Sequence, residues 1–152
     1  MSYVASKAQS GQGTLIQVNA SGASPAVWVN IGEVTDAGFS DKNMFDDTTN
    51  LQSTAKEFLA ILADPGKLTC TVNRVSTDTG QADVLTSFHA ASRLTYQVLF
   101  PVNLAAGQTT TGDARQFLAY VEQISPDVKT DKKITSKFTL QITGPITDIE
   151  GS

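Results

Sequence analysis

Apolar and polar residues alternate with period two along much of the chain. The clearest run is Ile134 to Ile142, with Ile134, Phe138, Leu140 and Ile142 on one side and Thr135, Lys137, Thr139 and Gln141 on the other. That is the pattern of a strand with one face buried. Leu68 to Val75 sets Leu68, Cys70 and Val72 against Thr69, Thr71 and Asn73. Leu94 to Phe100 sets Leu94, Tyr96, Val98 and Phe100 against Thr95, Gln97 and Leu99. Thr14–Val18, Val27–Val34 and Arg115–Ile124 read the same way, the last through Phe117, Ala119 and Val121. In Val27–Val34 the odd positions Val27, Val29 and Ile31 share a face, which leaves Trp28 outward, under a loop or in an interface.

Two stretches change period. From Asp83 to Arg93 the apolar residues Val84, Leu85, Phe88 and Ala91 recur at helical spacing. Asp83 stands where a carboxylate suits the positive end of a helix dipole, and Arg93 where a cation suits the negative end. From Leu51 to Leu62 the residues Leu51, Ala55, Phe58, Leu59 and Leu62 also fit a helix on period alone. Asp64-Pro65-Gly66, Pro101, Ser125-Pro126-Asp127 and Gly144-Pro145 are expected to stop the elements before them, and residues 19–25 to turn. Asp36 to Asn50 has no period and reads as a long loop, yet it carries Phe39, Met44 and Phe45. Apolar residues on a long polar loop mark a surface that becomes covered. Six or seven short strands, one helix and one long loop predict a mainly β domain. The expected form is an antiparallel sandwich or small barrel with a short helix against one opening. The domain is expected over 14–147, with a flexible arm at 1–13 and a tail at 148–152.

Composition narrows the chemistry. At 152 residues the chain suits one domain, long enough to bury about 70% of its unfolded surface. No apolar run approaches the ~20 residues of a membrane span. The first residues lack the charged-then-apolar pattern of a secretory signal, so a protein made and kept in a cytosol is expected. One cysteine, Cys70, excludes an internal disulfide and a cysteine-rich zinc site, and one histidine, His89, leaves little for histidine chemistry. No cofactor or metal is expected. A net charge of −4 and a pI near 4.8 argue against a protein that grips nucleic acid. They do not argue against one that lets nucleic acid pass.

Few motifs carry chemistry. Asn19-Ala20-Ser21 matches a glycosylation acceptor, by chance in a chain without a secretory signal. Asp78-Thr79-Gly80 matches the aspartic-protease triplet, in which two carboxylates share a proton. A chain this short would have to dimerise to supply both, and polar Ser76-Thr77 stands where that motif follows an apolar strand. A turn is the expected role, and no catalytic residue is assigned. Cys70 alternates inward with Leu68 and Val72 and is expected as a small core residue.

The order of pieces resembles a known family. IGEVTDAGFS leads to DDTTNLQSTAKEFLAIL and DPG; then come a strand, an amphipathic helix, YQVLFP, RQFLAYVEQISPDVK and SKFTLQITGPI. This resembles the tail tube proteins of long-tailed bacteriophages over residues 14–147, most specifically at 48–58, 117–128 and 138–147. The resemblance implies a sandwich or barrel-like core with one flanking helix, and hexameric rings stacked into a hollow tube that conducts DNA at injection. It implies partners as well: a tape-measure protein and tail-tip and terminator proteins, in a virion tail assembled in the host cytoplasm. It also implies that 51–62 is extended and joins rings, against its helical period. Many relatives carry a glycine before the leucine matched to Leu62, where this chain has Ile61. Phe39, Met44, Phe45, Leu51, Phe58 and Trp28 are then candidate contacts between subunits or rings. Glu33, Asp36 and Glu122 are candidates for an acidic lumen that repels phosphate. Two rival readings stand beside it: the tube of a related secretion or bacteriocin machine, and a monomeric β-sandwich that binds or decorates a virion.

Overall fold

The alternating stretches become strands. In this computed structural model, which describes residues 6–20, 27–52 and 54–152, there are nine strands and one α-helix among those residues. The strands are β1 Leu15–Asn19, β2 Val29–Asn30, β3 Val34–Phe39, β4 Phe45–Asp47, β5 Phe58–Ala60, β6 Lys67–Asn73, β7 Arg93–Leu99, β8 Ala114–Asp127 and β9 Thr135–Ile149; the helix is α1 Thr79–Ala90. Seven strands form one antiparallel sheet in the order β2-β1-β7-β8-β9-β6-β3, and β4 pairs only with β5. The fold is the expected one: mainly β, antiparallel, with one short helix.

Register explains why the sheet curls. Leu68 lies opposite Leu140, Cys70 opposite Phe138 and Tyr96 opposite Phe117, so one face of every central strand is apolar. These residues join Ile16, Val18 and Ile31 in a single buried cluster. A face that apolar is buried by rolling the sheet over it. β3 thereby comes to face β1 across a groove of about 530 Å³, lined by Ile16, Val34, Phe39 and Phe100 among others.

The chain passes from β2, at one edge of the sheet, to β3, at the other, through Ile31, Gly32 and Glu33. Ile31 N–H donates to the Ile16 carbonyl at 2.8 Å, and Asn73 N–H to the Glu33 carbonyl at 2.8 Å. Glu33 turns the corner with φ 59°. The start of α1 holds this crossing. The Asp78 carboxylate accepts from Gln81 N–H at 2.9 Å, which caps the helix, and from Gly32 N–H at 3.1 Å. The Gln81 amide donates to the carbonyls of Gly32 and Asn73, both at 3.0 Å, and accepts from Val75 N–H at 3.0 Å. A side chain at Gly80 would sit 2.2 Å from the Asn30 carbonyl oxygen. Asp78-Thr79-Gly80 is thus a cap followed by a close approach. Its carboxylate is engaged in holding the fold.

Several expected boundaries move. The helix starts at Thr79, not Asp83, and Asp78 is its cap; Arg93 opens β7 instead of closing the helix. Val84 is buried, whereas Leu85 and Phe88 remain exposed, because Gly80, Val84 and Ser87 are the positions turned inward. Leu51–Leu62 forms no helix; Phe58–Ala60 is extended, as the resemblance implied. Val27–Val34 breaks at the crossing, and the expected loop 36–50 contains most of β3 and all of β4. β8 runs through Pro126 and β9 through Gly144-Pro145. Past Tyr120, β8 pairs with β9 alone, and past Gln141, β9 pairs with β8 alone. A proline lacks a donor, and a stretch with one free side tolerates that. Within the tail expected at 148–152, Asp148 and Ile149 belong to β9, and the Ser152 carbonyl accepts from Thr109, Thr110 and Thr111 N–H at 2.8–3.1 Å. Of the expected arm, residues 1–5 lie outside the described residues, as do 21–25 of the expected turn and Ser21 of the glycosylation match. Further along the arm, the Lys7 carbonyl accepts from the Asn103 amide at 3.0 Å.

Two outcomes test this scaffold. Asp78→Asn keeps an oxygen that caps α1 and is expected to fold with little loss, whereas Asp78→Ala is expected to cost about 1–2 kcal/mol in urea unfolding. Gly80→Ala, which forces backbone apart, is expected to cost more than Asp78→Ala. Burial pushes both the Cys70 thiol and the Tyr96 phenol up to about 12. Each is raised above its unfolded value, so its contribution is complete below the unfolded pKa and is lost as pH rises through the folded one. Stability is therefore expected to fall between about pH 9 and pH 12, measured by unfolding at stepped alkaline pH. A flat profile there would contradict the buried neutral pair.

Candidate assembly surface

The β3–β6 pair does not end where the sheet does. At its Phe39–Leu68 end, Ser40 N–H donates to the Lys67 carbonyl at 3.0 Å, the Lys42 and Asp64 backbones each donate an N–H to the other's carbonyl at 2.9 and 2.7 Å, and the two chains run on into the β4–β5 hairpin. Gly66, with φ +73°, permits this departure: a side chain there would meet the Ser40 carbonyl at 2.1 Å. Ten residues of extended chain separate Ser40 from Asn50, so the arm reaches up to about 30 Å from the sheet.

Register puts apolar residues on both faces of the arm. Phe45 lies opposite Ala60 and Asp47 opposite Phe58, so both phenylalanines share one face. Leu59 and Met44 belong to the other, with Ile61 donating its N–H to the Met44 carbonyl. Phe45 is 61% exposed, Phe58 59%, Leu62 87% and Leu51, near the tip, fully exposed. A two-stranded hairpin without a third strand or a helix against it is marginal in water. The arm has no core of its own among the described residues, and its apolar faces are open to a partner.

The other expected contact residues lie elsewhere. Trp28 is half-buried just before β2. Phe39 ends β3, its ring edge-on to Phe117 at 5.7 Å and under the Arg115 guanidinium at 4.7 Å. Arg115 also donates to Asp148 at 2.8 Å and lies 3.5 Å from Asp41, a small charged knot at the root of the arm. Met44, Phe45, Leu51 and Phe58 are thus brought together on the arm, with Phe39 at its root and Trp28 apart.

Asp36 and Glu122 share the outward face of β3, β6, β9 and β8, opposite Cys70, Leu140 and the rest of the core. Asp36 pairs in register with Thr71, and Glu122 is 2.9 Å from Lys67. Glu33 is exposed at the Asn73 end of the same face and accepts from the Asn73 amide at 3.1 Å. Thr69, Thr71, Thr139 and Gln141 fill the face between them. The other half of the sheet carries a relay of amides across four strands. Gln116 donates to Gln97 at 2.6 Å, Gln97 to Gln17 at 2.7 Å and Gln17 to Asn30 at 2.8 Å. The outer wall is therefore polar, closely bonded and low in net charge.

No family model matches the sequence, and no curated protein matches it. Solved structures share the fold. A chain of the tail of an empty gene transfer agent particle, in a structure of C6 symmetry, superposes with a TM-score of 0.75 at 16% identity, over 92% of this chain and 98% of that one. The SPP1 tail tube superposes with a TM-score of 0.71 at 14% identity, over 94% of this chain and 79% of that one. A chain of the tube-terminating cap of the anti-feeding prophage does so with a TM-score of 0.70 at 6% identity, over 99% and 97%. The chain has the tail-tube fold.

Within the tail-tube fold, sequence reasoning missed Leu59, Ile61 and Leu62 as exposed residues. Reading them on a helical period placed Leu59 and Leu62 on a buried stripe, and only the pairing of β4 with β5 turns them out. The amide relay was equally hidden, since Gln17, Gln97 and Gln116 become neighbours only through strand order. Replacing Phe45 and Phe58 together by Ser is expected to change the stability of dilute, monomeric protein by less than about 0.5 kcal/mol. Phe117→Ala is expected to cost about 3–5 kcal/mol. Thermal and urea unfolding of both variants measures the contrast.

Proposed function

We propose that this chain is the structural subunit of a phage tail tube: six copies form a ring, and rings stack into a hollow conduit through which DNA passes at injection. The observation that carries this reading is the arm. A complete tail-tube fold bears a long hairpin with bare apolar faces, which burial against neighbouring copies would stabilise. The subunit is a structural component of the virion tail and does no catalysis. Phe45, Met44, Leu51 and Phe58 serve as contacts between subunits or rings, with Phe39 at the arm's root and Trp28 beside β2.

The threonine- and glutamine-rich outer wall with Asp36, Glu33 and Glu122 lines the lumen in this reading. Polar side chains and a net charge of −4 per copy offer phosphate no cationic lattice on which to stick. Glu122 contributes less than the other two, because Lys67 neutralises it locally. The arm at 1–13 orders on assembly. Tail-tip, tape-measure and terminator proteins are the expected partners, and the likeness to a tube-terminating cap supports the last. That likeness also supports a second reading, the tube of an injection machine that carries no DNA. The two differ in whether tubes isolated from their source hold nucleic acid.

Negative-stain electron microscopy with light scattering on the same concentrated sample tests the proposal. Hollow tubes or six-fold rings are expected. A monodisperse monomer at all concentrations, also after seeding with a tail-tip complex, would favour the decoration module instead.

A further inference from the structure

Charge and shape are divided between the two ends of β6. At the Lys67 end the arm, residues 40–66, carries Asp41, Asp46, Asp47, Glu57 and Asp64 against Lys42 and Lys56. At the Asn73 end, about 20 Å away along the strand, the turn between β8 and β9 carries Lys129, Lys132 and Lys133 against Asp127 and Asp131. Arg74 joins that turn through its N–H to the Ile134 carbonyl at 2.9 Å. Arg74, Lys132 and Lys133 form no ion pair among the described residues, nor do Asp46, Asp47 and Glu57.

The same basic end holds a hole. Between α1 and strands β6, β8 and β9 lies a cleft of about 150 Å³, lined by Val72, Val75, Leu85, Ile124 and Phe138, with Arg74 also among its lining residues. A volume of that order accepts one apolar group of the size of benzene. The opposite end supplies the knob, because Leu51 near the tip of the arm is fully exposed. Two different, complementary patches at opposite ends of one chain make a heterologous contact, which repeats head to tail instead of closing on itself as a twofold dimer does.

We propose that the arm of one copy docks on the Arg74 end of the next copy along the tube, seating Leu51 in the cleft between α1 and β6 and setting Asp46, Asp47 and Glu57 against Arg74, Lys132 and Lys133. The inference rests on the tube-subunit reading and names the surface that receives the arm. Apolar insertion supplies the hold, and the charges set polarity and register. A copy turned end for end brings arm against arm, acid against acid, and is rejected. The contact weakens with salt, because its ion pairs lie at an exposed rim.

Charge reversal and cross-linking test it. K132E/K133E alters exposed residues only, and circular dichroism checks that it folds. It is expected to raise the critical concentration for tube growth about tenfold or more while leaving single rings intact, and D46K/D47K in the same chain is expected to restore growth. Mixed L51C and L85C proteins are expected to form disulfide-linked dimers under oxidation that neither gives alone; buried Cys70 does not compete. If wild-type protein stacks and the reversed variant stacks equally well, or the mixture gives no cross-link, the docking surface is wrong and the tube reading stands. If wild-type protein forms neither rings nor tubes, also after seeding with a tail-tip complex, both fail.

Discussion

The clip at the start of α1 is the constraint on which the rest depends. Asp78 and Gln81 reach three stretches of backbone at once: the crossing at Gly32, the end of β6 at Asn73 and the turn at Val75. Gly80 lets the helix come close enough for this. With the crossing held, β3 must run along β6 instead of beside β1, so the sheet rolls and its apolar face closes into one core. The bonds are few, but each satisfies a backbone group in a partly buried corner, where leaving one unmade costs about 1–3 kcal/mol.

Placing β3 beside β6 has a consequence at the far end of that pair. The two chains leave the sheet together and remain a two-stranded ribbon, because no third strand is there to broaden it. Burying a phenylalanine, leucine or isoleucine contributes about 1.5–3 kcal/mol. Six such residues on the arm, Phe45, Leu51, Phe58, Leu59, Ile61 and Leu62, leave on the order of 10 kcal/mol of gross stabilisation unrealised in the isolated chain. The core around Tyr96 and Phe117 is complete without it. Stability and exposed apolar surface thus belong to different parts of one small domain: a closed core and an unfinished arm.

The strands were legible wherever one face is buried and the other wet, since period two follows directly from that condition. β6, β7 and the first half of β9 show it. The helical stripe at Leu51–Leu62 misled because a stripe specifies a helix only when a core is there to receive it. Out on the arm there is none, and pairing with β4 satisfies the backbone instead. The resemblance to tail tube proteins corrected what periodicity alone did not. Pro126 and Pro145 misled for a related reason: each looks like a stop, yet each sits where its strand has one neighbour only. Asp36 and Glu122 were candidates one by one, and only register with β6 shows that they share a face. The cleft at Val75 and Leu85 was not legible, because it is formed by elements brought together only by strand order.

Hydrogen exchange, read residue by residue in dilute and assembled protein, tests most directly whether the arm is completed by neighbouring copies. Amides of Leu68–Val72 and Phe138–Ile142 are expected to be protected in both states. Amides of Phe45–Asp47 and Phe58–Ile61 are expected to exchange rapidly in the monomer and to become protected on assembly. Protection of the arm already present in the monomer, or absent from the assembled tube, would contradict the account.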